Sequence, residues 1–520
     1  MKRTIGLLLF VMSAILVLSA SPAQKPAAQA ADSTTPEKAV PPGPERSVTQ
    51  HKIVVGGTAV NYKATSGTLI VRDAKDQPYA SIGYFAYTKN DAADPSRRPI
   101  TFAYNGGPGS PSVWLHMGAL GPKRVVTTDA APTPPPPFKI VDNEWSLLDR
   151  TDLVMIDPVG TGFSRAVGEA KDKDFWGVDP DIESIARFIK QYITENGRWN
   201  SPKYLLGESY GTTRSAGVVD YLQSKEYMSF NGVILVSLAT DLDLIVEGNI
   251  EGAKDHNWQL PLWLPTYTAV AWYHKALPER PAELAPLLDE VRAFALGEYA
   301  HALALGNGLS PAGRKDVIEK MRRYTGLSPE YLERADLEVS LGQFAKELFR
   351  SRRDTVGLLD ARFLGISFNP RGESAEFDPM DAAISPAFLA AFMDYLQRDL
   401  NFGQGKTYRP DAGAFEIWDF KHKVEGSALP QQMVYTGVNL AHAMGTNPHL
   451  KVLVLQGIYD LVTPLLATEY MVSHLGLRPD LRPNISIKYY DAGHMMYLHE
   501  PSLKKFRADV AAFIDATARQ

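Results

Sequence analysis

The segment KYLLGESYGTTRSAG, from Lys203 to Gly217, joins an apolar run, a serine between two glycines and residues that favour a helix. This order predicts a buried strand, a sharp turn and a helix. The turn is so tight that side chains two residues before and after the serine would clash. The turn therefore requires Gly207 and Gly211. The turn would hold Ser209 strained and exposed before a helix N-terminus, which favours negative charge. We predict that Ser209 is a nucleophile; the alternative is a serine that caps a helix in an ordinary turn.

Strand and helix patterns alternate around this motif. They include DLVMID (152–157), NGVILVSLA (231–239), LKVLVLQG (450–457) and NISIKYY (484–490) as strands, and DPDIESIARFIKQYITENG (179–197) as a helix. Such alternation predicts an α/β fold, a mostly parallel central sheet with helices on both faces. Earlier segments show period-two alternation and predict successive antiparallel strands. They are KIVVGGTAV (52–60), SGTLIVRD (66–73), YASIGYFAYTK (79–89) and RPITFAYN (98–105).

These patterns divide the ordered part of the chain into three regions. Residues 49–240 are predicted to form the first part of the α/β core, and residues 386–520 the second part. Between them, residues 241–385 have long helical patterns and no convincing buried strand. We interpret this region as a helical cap inserted over the active edge of the sheet.

The N-terminus predicts export. Residues 1–20, MKRTIGLLLFVMSAILVLSA, have two basic residues, an apolar run and then small residues, the order of a secretory signal peptide. Ala28-Gln29-Ala30 is a second possible cleavage site. The alternative is a single membrane anchor, but the run is shorter than the roughly 20 apolar residues that a span needs. Residues 21–48 are rich in Ala and Pro and predict a disordered tether.

The composition of the chain limits the cellular compartment and the classes of binding partner that we expect. The chain has 520 residues, 45% of them apolar, and no cysteine, so it can form no disulfide, lipoprotein anchor or thiolate metal site. A periplasmic or secreted bacterial protein without stable membrane insertion after cleavage fits best. The net charge of −5 gives no electrostatic reason to expect nucleic-acid binding. No H-E-x-x-H motif is present and the 11 histidines do not cluster, so we expect neither metal nor cofactor.

A nucleophilic serine needs a base, and the base needs an acid that orients it. Behind an elbow of this kind the order along the chain is serine, acid, histidine. Asp460 in VLQGIYDLVTP follows one predicted strand, and His494 in IKYYDAGHMMYLHEP follows the next. We therefore predict Ser209, Asp460 and His494 as a catalytic triad.

Other residues compete for these roles. His499 could be the base, but it leads into a helix, whereas His494 follows a turn at a strand end. Asp491 precedes His494 and is interpreted as a turn residue. Asp157 ends a strand before the serine, which breaks the order, so we expect it to be structural or to support the site.

The oxyanion of an acyl-transfer reaction needs backbone N–H donors. FAYNGGPGSPS (102–112) places Gly106 and Gly107 at the end of an early strand, where bare backbone can approach a carbonyl closely. The second donor in such sites follows the nucleophile and is here Tyr210. The alternative is a plain Gly-Pro loop.

Five motifs in this order resemble the serine carboxypeptidase family, particularly its bacterial members, from about Phe102 to the C-terminus. They are NGGPGS (105–110), DPVGTGFS (157–164), GESYG (207–211), GIYDLVTP (457–464) and AGHMM (492–496). The resemblance implies the α/β-hydrolase fold and the same triad, with Gly107 and Tyr210 as oxyanion donors. It further implies that Asn105 and Glu208 bind the terminal carboxylate of a peptide substrate.

The chain departs from the family pattern at two positions. Many members have a tryptophan where Ala103 stands, and a second glutamate, paired with the elbow glutamate, near Ala119. Arg165 and Arg214 are candidates to replace the missing groups. The expected function is an exported serine carboxypeptidase that acts through an acyl-enzyme on Ser209. The alternatives are an esterase or acyltransferase with the same triad and, in another class, a secreted binding protein without activity.

Overall fold

A computed structural model describes residues 43–246 and 257–518 of the protein. The predicted signal peptide (1–20) and residues 21–42 of the predicted tether lie outside the described residues. The last part of that tether belongs to the sheet, because the first strand begins at Arg46 and Glu45 O already accepts from Thr68 N at 2.9 Å. The first strand of the sheet therefore begins within residues 21–48, the predicted tether.

The described strands belong to one large sheet and two small two-stranded sheets. In chain order they are β1 (Arg46–Val55), β2 (Thr58–Arg72), β3 (Pro78–Lys89), β4 (Ile100–Tyr104), β5 (Lys123–Val125), β6 (Ile140–Asp142), β7 (Asp152–Ile156), β8 (Arg165–Ala166), β9 (Lys203–Glu208), β10 (Gly232–Val236), β11 (Asp354–Val356), β12 (Leu364–Ile366), β13 (Lys451–Gly457) and β14 (Ile485–Tyr490). The large sheet has the order β1-β2-β3-β7-β4-β9-β10-β13-β14, with β8 against β3. The small sheets pair β5 with β6 and β11 with β12.

The large sheet is mixed, and its central part is parallel. β1, β2 and β3 pair antiparallel, as predicted, whereas β4, β7, β9, β10, β13 and β14 pair in parallel. The prediction that β4 continues the antiparallel series is wrong, because β7 lies between β3 and β4. All five residues of β4 are buried, as expected for a central parallel strand covered on both faces.

Helices cover both faces of this sheet. In chain order the helices are α1 (Val113–Leu115), α2 (Val178–Glu195), α3 (Tyr210–Glu226), α4 (Leu264–Tyr273), α5 (Leu284–Phe294), α6 (Ala300–Leu305), α7 (Pro311–Thr325), α8 (Pro329–Arg334), α9 (Leu341–Glu347), α10 (Pro379–Arg398), α11 (Gly437–Thr446), α12 (Leu465–Ser473) and α13 (Glu500–Thr517). Leu205 of β9 packs in the core with α2 and α3, and its neighbour Leu206 packs in the core with α10 and α13. This alternation buries both faces and confirms the predicted architecture.

The segment between β10 and β13 contains the predicted cap. It spans residues 237–450, and the predicted end at residue 385 falls inside α10, which continues through Pro386. It is mostly helical but contains the hairpin β11–β12, which the helical patterns did not indicate.

The parallel strands bring four loops to one edge of the sheet. Asn105 follows β4, Ser209 follows β9, Asp460 lies beyond β13, and His494 lies beyond β14. The carboxyl ends of parallel strands share an edge, so distant parts of the sequence meet there. No described helix is both long enough and apolar enough to cross a membrane.

Candidate active site

The turn at Ser209 has the strained geometry that the sequence predicts. Ser209 has φ 59° and ψ −130°, a backbone conformation that residues other than glycine seldom adopt. Its N–H donates to Val236 O at 2.9 Å, and its carbonyl accepts from Thr212 N at 2.7 Å. These bonds to β10 and to the first turn of α3 hold the serine in place.

The two flanking glycines are sterically required. A Cβ on Gly207 would lie 2.1 Å from Gly211 O, and a Cβ on Gly211 would lie 2.9 Å from Tyr104 O. Both obstacles are backbone atoms, which cannot move aside as a flexible side chain can. The turn can therefore form only with glycine at both positions.

His494 and Asp460 are in contact. His494 Nδ1 and Asp460 Oδ2 are 2.7 Å apart, and both side chains are buried. A carboxylate can only accept, so Nδ1 carries the proton and Nε2 is left as the acceptor. His494 lines the same cavity as Ser209. An imidazole held in this tautomer can accept a proton from a serine hydroxyl.

Backbone donors and the loop at Leu359 position this pair. Asp460 Oδ1 accepts from Val462 N at 2.9 Å and from Thr463 N at 3.0 Å. His494 N donates to Leu359 O at 2.7 Å. Burial alone would lower the pKa of His494, but the charge and hydrogen bond of Asp460 outweigh burial and hold that pKa above its ordinary value.

The other candidates for the catalytic base and acid do not belong to the His494–Asp460 pair. Asp491 is exposed, and His499 caps α13 with its Nδ1 2.8 Å from Ser502 Oγ. Asp157 is buried, and its Oδ1 accepts from Ser112 N at 2.8 Å and from Ser112 Oγ at 2.7 Å. Burial raises the pKa of Asp157 to about 6. Asp157 thus braces the loop that contains the predicted oxyanion glycines and lies outside the cavity lining.

Gly106 and Gly107 bring that loop against the turn at Ser209. A Cβ on Gly106 would lie 2.4 Å from Tyr210 N, so glycine is needed for the close approach. Gly107 has φ +100°, in the region that favours glycine. Within the described chain, the N–H groups of Gly107 and Tyr210 have no protein acceptor. Both donors are therefore free for a ligand oxygen.

Asn105 and Glu208 form a buried pair beside Ser209. Asn105 Nδ2 donates to Glu208 Oε1 at 2.7 Å, and Asn105 Oδ1 accepts from Leu115 N at 3.0 Å. A backbone N–H can only donate, so the amide orientation is fixed and one Nδ2 hydrogen remains free. Burial raises the pKa of Glu208 to about 7. Glu208 can therefore hold a proton, and donate it in a hydrogen bond, at mildly acidic pH.

Neither arginine proposed as a substitute for the missing groups lines the cavity. Arg165 Nη1 donates to the carbonyls of Ser164 at 2.7 Å and Gly162 at 3.0 Å. Arg214 is fully buried behind the turn, donates Nε to Asp181 Oδ2 at 2.7 Å, and donates Nη1 to Asn105 O at 2.7 Å. That interpretation is wrong for both residues. Arg214 instead fixes the backbone of Asn105, a role that no motif in the sequence indicates.

We expect Arg214→Met to lower the free energy of unfolding by about 3–5 kcal/mol, because it leaves Asp181 charged, buried and unpaired. Urea unfolding measures the change. The double variant Arg214→Met/Asp181→Leu should recover much of the loss, since it removes both charges. Arg322→Met, which breaks an exposed pair with Glu319, is the control and should cost much less, because exposed ion pairs contribute little to stability. A loss for Arg214→Met no larger than the control's would contradict this account.

The cavity in front of Ser209 has a volume of about 900 Å³. Its apolar walls come from the loop after β4, from α10 and from the loops around His494; they include Trp114, Met380, Ile384, Leu389, Val462 and Met495. Glu208, Asp381, Asp411 and Glu416 also line it, and the described lining contains no lysine or arginine. Such a surface favours apolar or cationic groups over anionic ones. In the part of the chain that the structure describes, no cluster of three or more His, Asp or Glu could hold a metal ion.

Two contributions to this site were not predicted from the sequence. The loop at Leu359, within the insertion, supports His494, and Tyr497 lies beside Glu208. Tyr497 is three residues after His494, the only hint in the sequence that it lies near the site.

Sequence comparisons relate part of the chain to known proteins. Residues 56–257 match the sequence model of the serine carboxypeptidase family. The pheromone-processing carboxypeptidase KEX1 of Saccharomyces cerevisiae is 33% identical over 147 residues. That alignment covers 26% of this chain but only 19% of the yeast protein.

A structural match extends over most of the chain. The crystal structure of KEX1(delta)p, a prohormone-processing carboxypeptidase from Saccharomyces cerevisiae, superposes with a TM-score of 0.53 at 14% identity. It covers 88% of this chain and 92% of the yeast chain, and at this identity it establishes the fold alone. The chain therefore has the α/β-hydrolase fold, and its residues 56–257 are similar to the serine carboxypeptidase family.

Proposed function

We propose that this protein is an exported serine carboxypeptidase that removes C-terminal residues from peptides through an acyl-enzyme on Ser209. The observation that carries the proposal is the buried hydrogen bond of 2.7 Å between Asn105 and Glu208, next to Ser209 in the same cavity. An esterase needs no carboxyl group inside the elbow motif. A carboxyl group that keeps its proton to a pKa of about 7, beside a free amide N–H, suits the recognition of a terminal carboxylate.

In the proposed mechanism Ser209 Oγ attacks the carbonyl carbon of the last peptide bond. His494 Nε2 takes the hydroxyl proton, while Asp460 holds the imidazole in the required tautomer and stabilises its positive charge. The N–H groups of Gly107 and Tyr210 stabilise the oxyanion. His494 then gives its proton to the leaving amine, and the C-terminal amino acid departs. Water, activated by the same histidine, releases the shortened peptide from Ser209.

Recognition of the chain end would depend on charge. The carboxylate of the peptide needs donors, and the acidic residues lining the cavity offer none when they are ionised. Asn105 has one free amide hydrogen, and protonated Glu208 supplies a second donor. These two groups would orient the peptide so that the final bond reaches Ser209.

The proposal also includes export of the protein and the domain organisation predicted from the sequence. The signal-like residues 1–20 support secretion or a periplasmic location, with residues 21 to about 45 as a tether. The insertion after β10 would act as the cap, since α10 contributes to the walls of the cavity.

Mass spectrometry of a peptide mixture incubated with the protein tests this function. A carboxypeptidase shortens peptides from the C-terminus, one residue at a time, and cleaves the same peptides much more slowly when they carry a terminal amide. Internal cuts, or equal cleavage of acids and amides, would contradict the proposal. Hydrolysis of simple esters with untouched peptides would indicate an esterase.

We expect kcat/KM for a free-acid peptide to follow a bell-shaped pH profile. It should rise as His494 loses its proton and fall as Glu208 ionises through a pKa of about 7, because ionised Glu208 repels the substrate carboxylate. The amide of the same peptide needs no donor at its end, so its profile should rise through the pKa of His494 and then stay level.

Glu208→Gln keeps a donor at every pH and should remove the alkaline fall for the free-acid peptide. It should leave the amide profile little changed. The exposed Glu195→Gln is the control and should reproduce the wild-type profiles. Superimposable profiles for wild type and Glu208→Gln would exclude a role for Glu208 in carboxylate recognition.

A further inference from the structure

We propose that Tyr497 is a positioning residue for Glu208, whose phenol O–H faces the Glu208 carboxyl and sets the pH at which that carboxyl loses its proton. The inference rests on the proposed function of the Asn105–Glu208 pair. It concerns a residue outside the triad, the oxyanion donors and the cavity lining. Tyr497 does not contact the substrate; it acts through Glu208.

The position of Tyr497 is fixed by packing. It lies in a short helical turn, Met496–Leu498, that follows His494, and its side chain is buried. A Cβ on Gly118 would lie 2.4 Å from Tyr497 Cε2, so the glycine leaves room for the ring. A side chain at position 118 would therefore displace the ring from its place.

Two buried polar atoms at this point have no hydrogen-bond partner in the described chain. They are Glu208 Oε2 and the hydroxyl oxygen of Tyr497. The hydroxyl faces Glu208 and the Asn105 side chain, close enough to interact with both. Buried polar atoms seldom remain unpaired, so these two atoms are placed to form a hydrogen bond with each other.

The chemistry of the two groups decides which of them donates. Burial raises the pKa of Tyr497 well above its ordinary value, so the phenol keeps its proton in the working pH range. Ionised Glu208 can only accept, and a phenol O–H that donates to it favours the ionised form. Tyr497 thus opposes the effect of burial and keeps the pKa of Glu208 from rising further.

Other groups also face Glu208 and act on the same equilibrium. Protonated His494 and the Asn105 amide favour ionisation of Glu208, whereas the charge of Asp460 disfavours it. The His494 and Asp460 side chains pair with each other, and Asn105 is held by Leu115 and Arg214. The tyrosine hydroxyl can be removed without disturbing these contacts, because phenylalanine keeps the ring.

Tyr497→Phe tests the inference in two independent ways. In the pH profile of kcat/KM for a free-acid peptide, we expect the alkaline midpoint to rise by about one pH unit, and the amide profile to stay in place. Infrared titration of the protonated carboxyl band of Glu208, assigned by its loss in Glu208→Gln, should show the same rise without any substrate. Tyr204→Phe is the control, because that buried hydroxyl bonds Thr517 away from the cavity, and it should shift neither midpoint.

The outcomes separate this inference from the proposed function. An infrared midpoint that Tyr497→Phe leaves unchanged would overturn the role of Tyr497, whatever the enzyme does to peptides. A shifted infrared midpoint with equal cleavage of acids and amides would support Tyr497 and contradict the carboxypeptidase proposal. In the double variant Glu208→Gln/Tyr497→Phe the profile should match that of Glu208→Gln; a further shift there would also overturn the inference.

Discussion

Ser209→Ala is expected to lower kcat by a factor of about 10⁴ or more while leaving the fold intact. Without the hydroxyl no acyl-enzyme can form. The oxyanion donors Gly107 and Tyr210 alone should then support only a small fraction of the wild-type rate. The strained turn should tolerate alanine, since its Cβ lies where the serine Cβ lies and the backbone bonds to Val236 and Thr212 remain. Circular dichroism and thermal unfolding check the fold, and steady-state hydrolysis of a peptide checks the rate.

A fluorophosphonate provides a second measurement for this prediction. It should label the wild-type protein once, at Ser209, and should not label Ser209→Ala. Ser224→Ala is the control, because that hydroxyl is on the same helix but bonds only the helix backbone at Asp220. An active Ser209→Ala variant, or a label on another serine, would disprove the assignment.

The substitution Asp460→Asn should lower kcat by a factor on the order of 10⁴. An asparagine at this place can donate to Nδ1, which favours the tautomer with the proton on Nε2 and leaves no acceptor for the serine hydroxyl. The structure supports a large effect, because Asp460 Oδ2 lies 2.7 Å from His494 Nδ1 and Asp460 is fully buried.

Asp491→Asn is the matched control for the acid. Asp491 is exposed and three residues from His494, so its replacement should change kcat less than about threefold. Measuring kcat for both variants at one pH shows which substitution causes the larger loss and therefore which aspartate is the acid. A larger loss for Asp491→Asn would move the acid to that residue.

Much of this edge of the sheet was predictable because it depends on local patterns. The glycines around Ser209 are dictated by backbone contacts within the turn, and strand patterns place Asp460 and His494 at strand ends. Parallel pairing then brings these ends together without any further information. The structure brings Ser209 and His494 to one cavity, with Asp460 hydrogen-bonded to His494, and their catalytic roles are the subject of the tests above.

The features that sequence patterns could not give depend on contacts between distant segments. The sequence does not distinguish Arg214 from other arginines in helices. Only the fold shows that its side chain donates to Asn105 and Asp181. The sequence shows that a second glutamate is missing near Ala119, but only the fold shows that burial raises the pKa of Glu208. Tyr497 reaches Glu208 only because Gly118 leaves space for its ring, a contact across more than 370 residues of sequence.

The most direct test of the account is the mass of the acyl-enzyme. A peptide of known sequence is mixed with the protein, the reaction is stopped with acid after a few milliseconds, and the modified protein is digested and sequenced by mass spectrometry. We predict an adduct on the fragment that contains Ser209, with the mass of the peptide lacking only its last residue. An adduct that lacks several residues, an adduct on another side chain, or turnover of the peptide without an adduct on Ser209 even when deacylation is slowed would contradict the account.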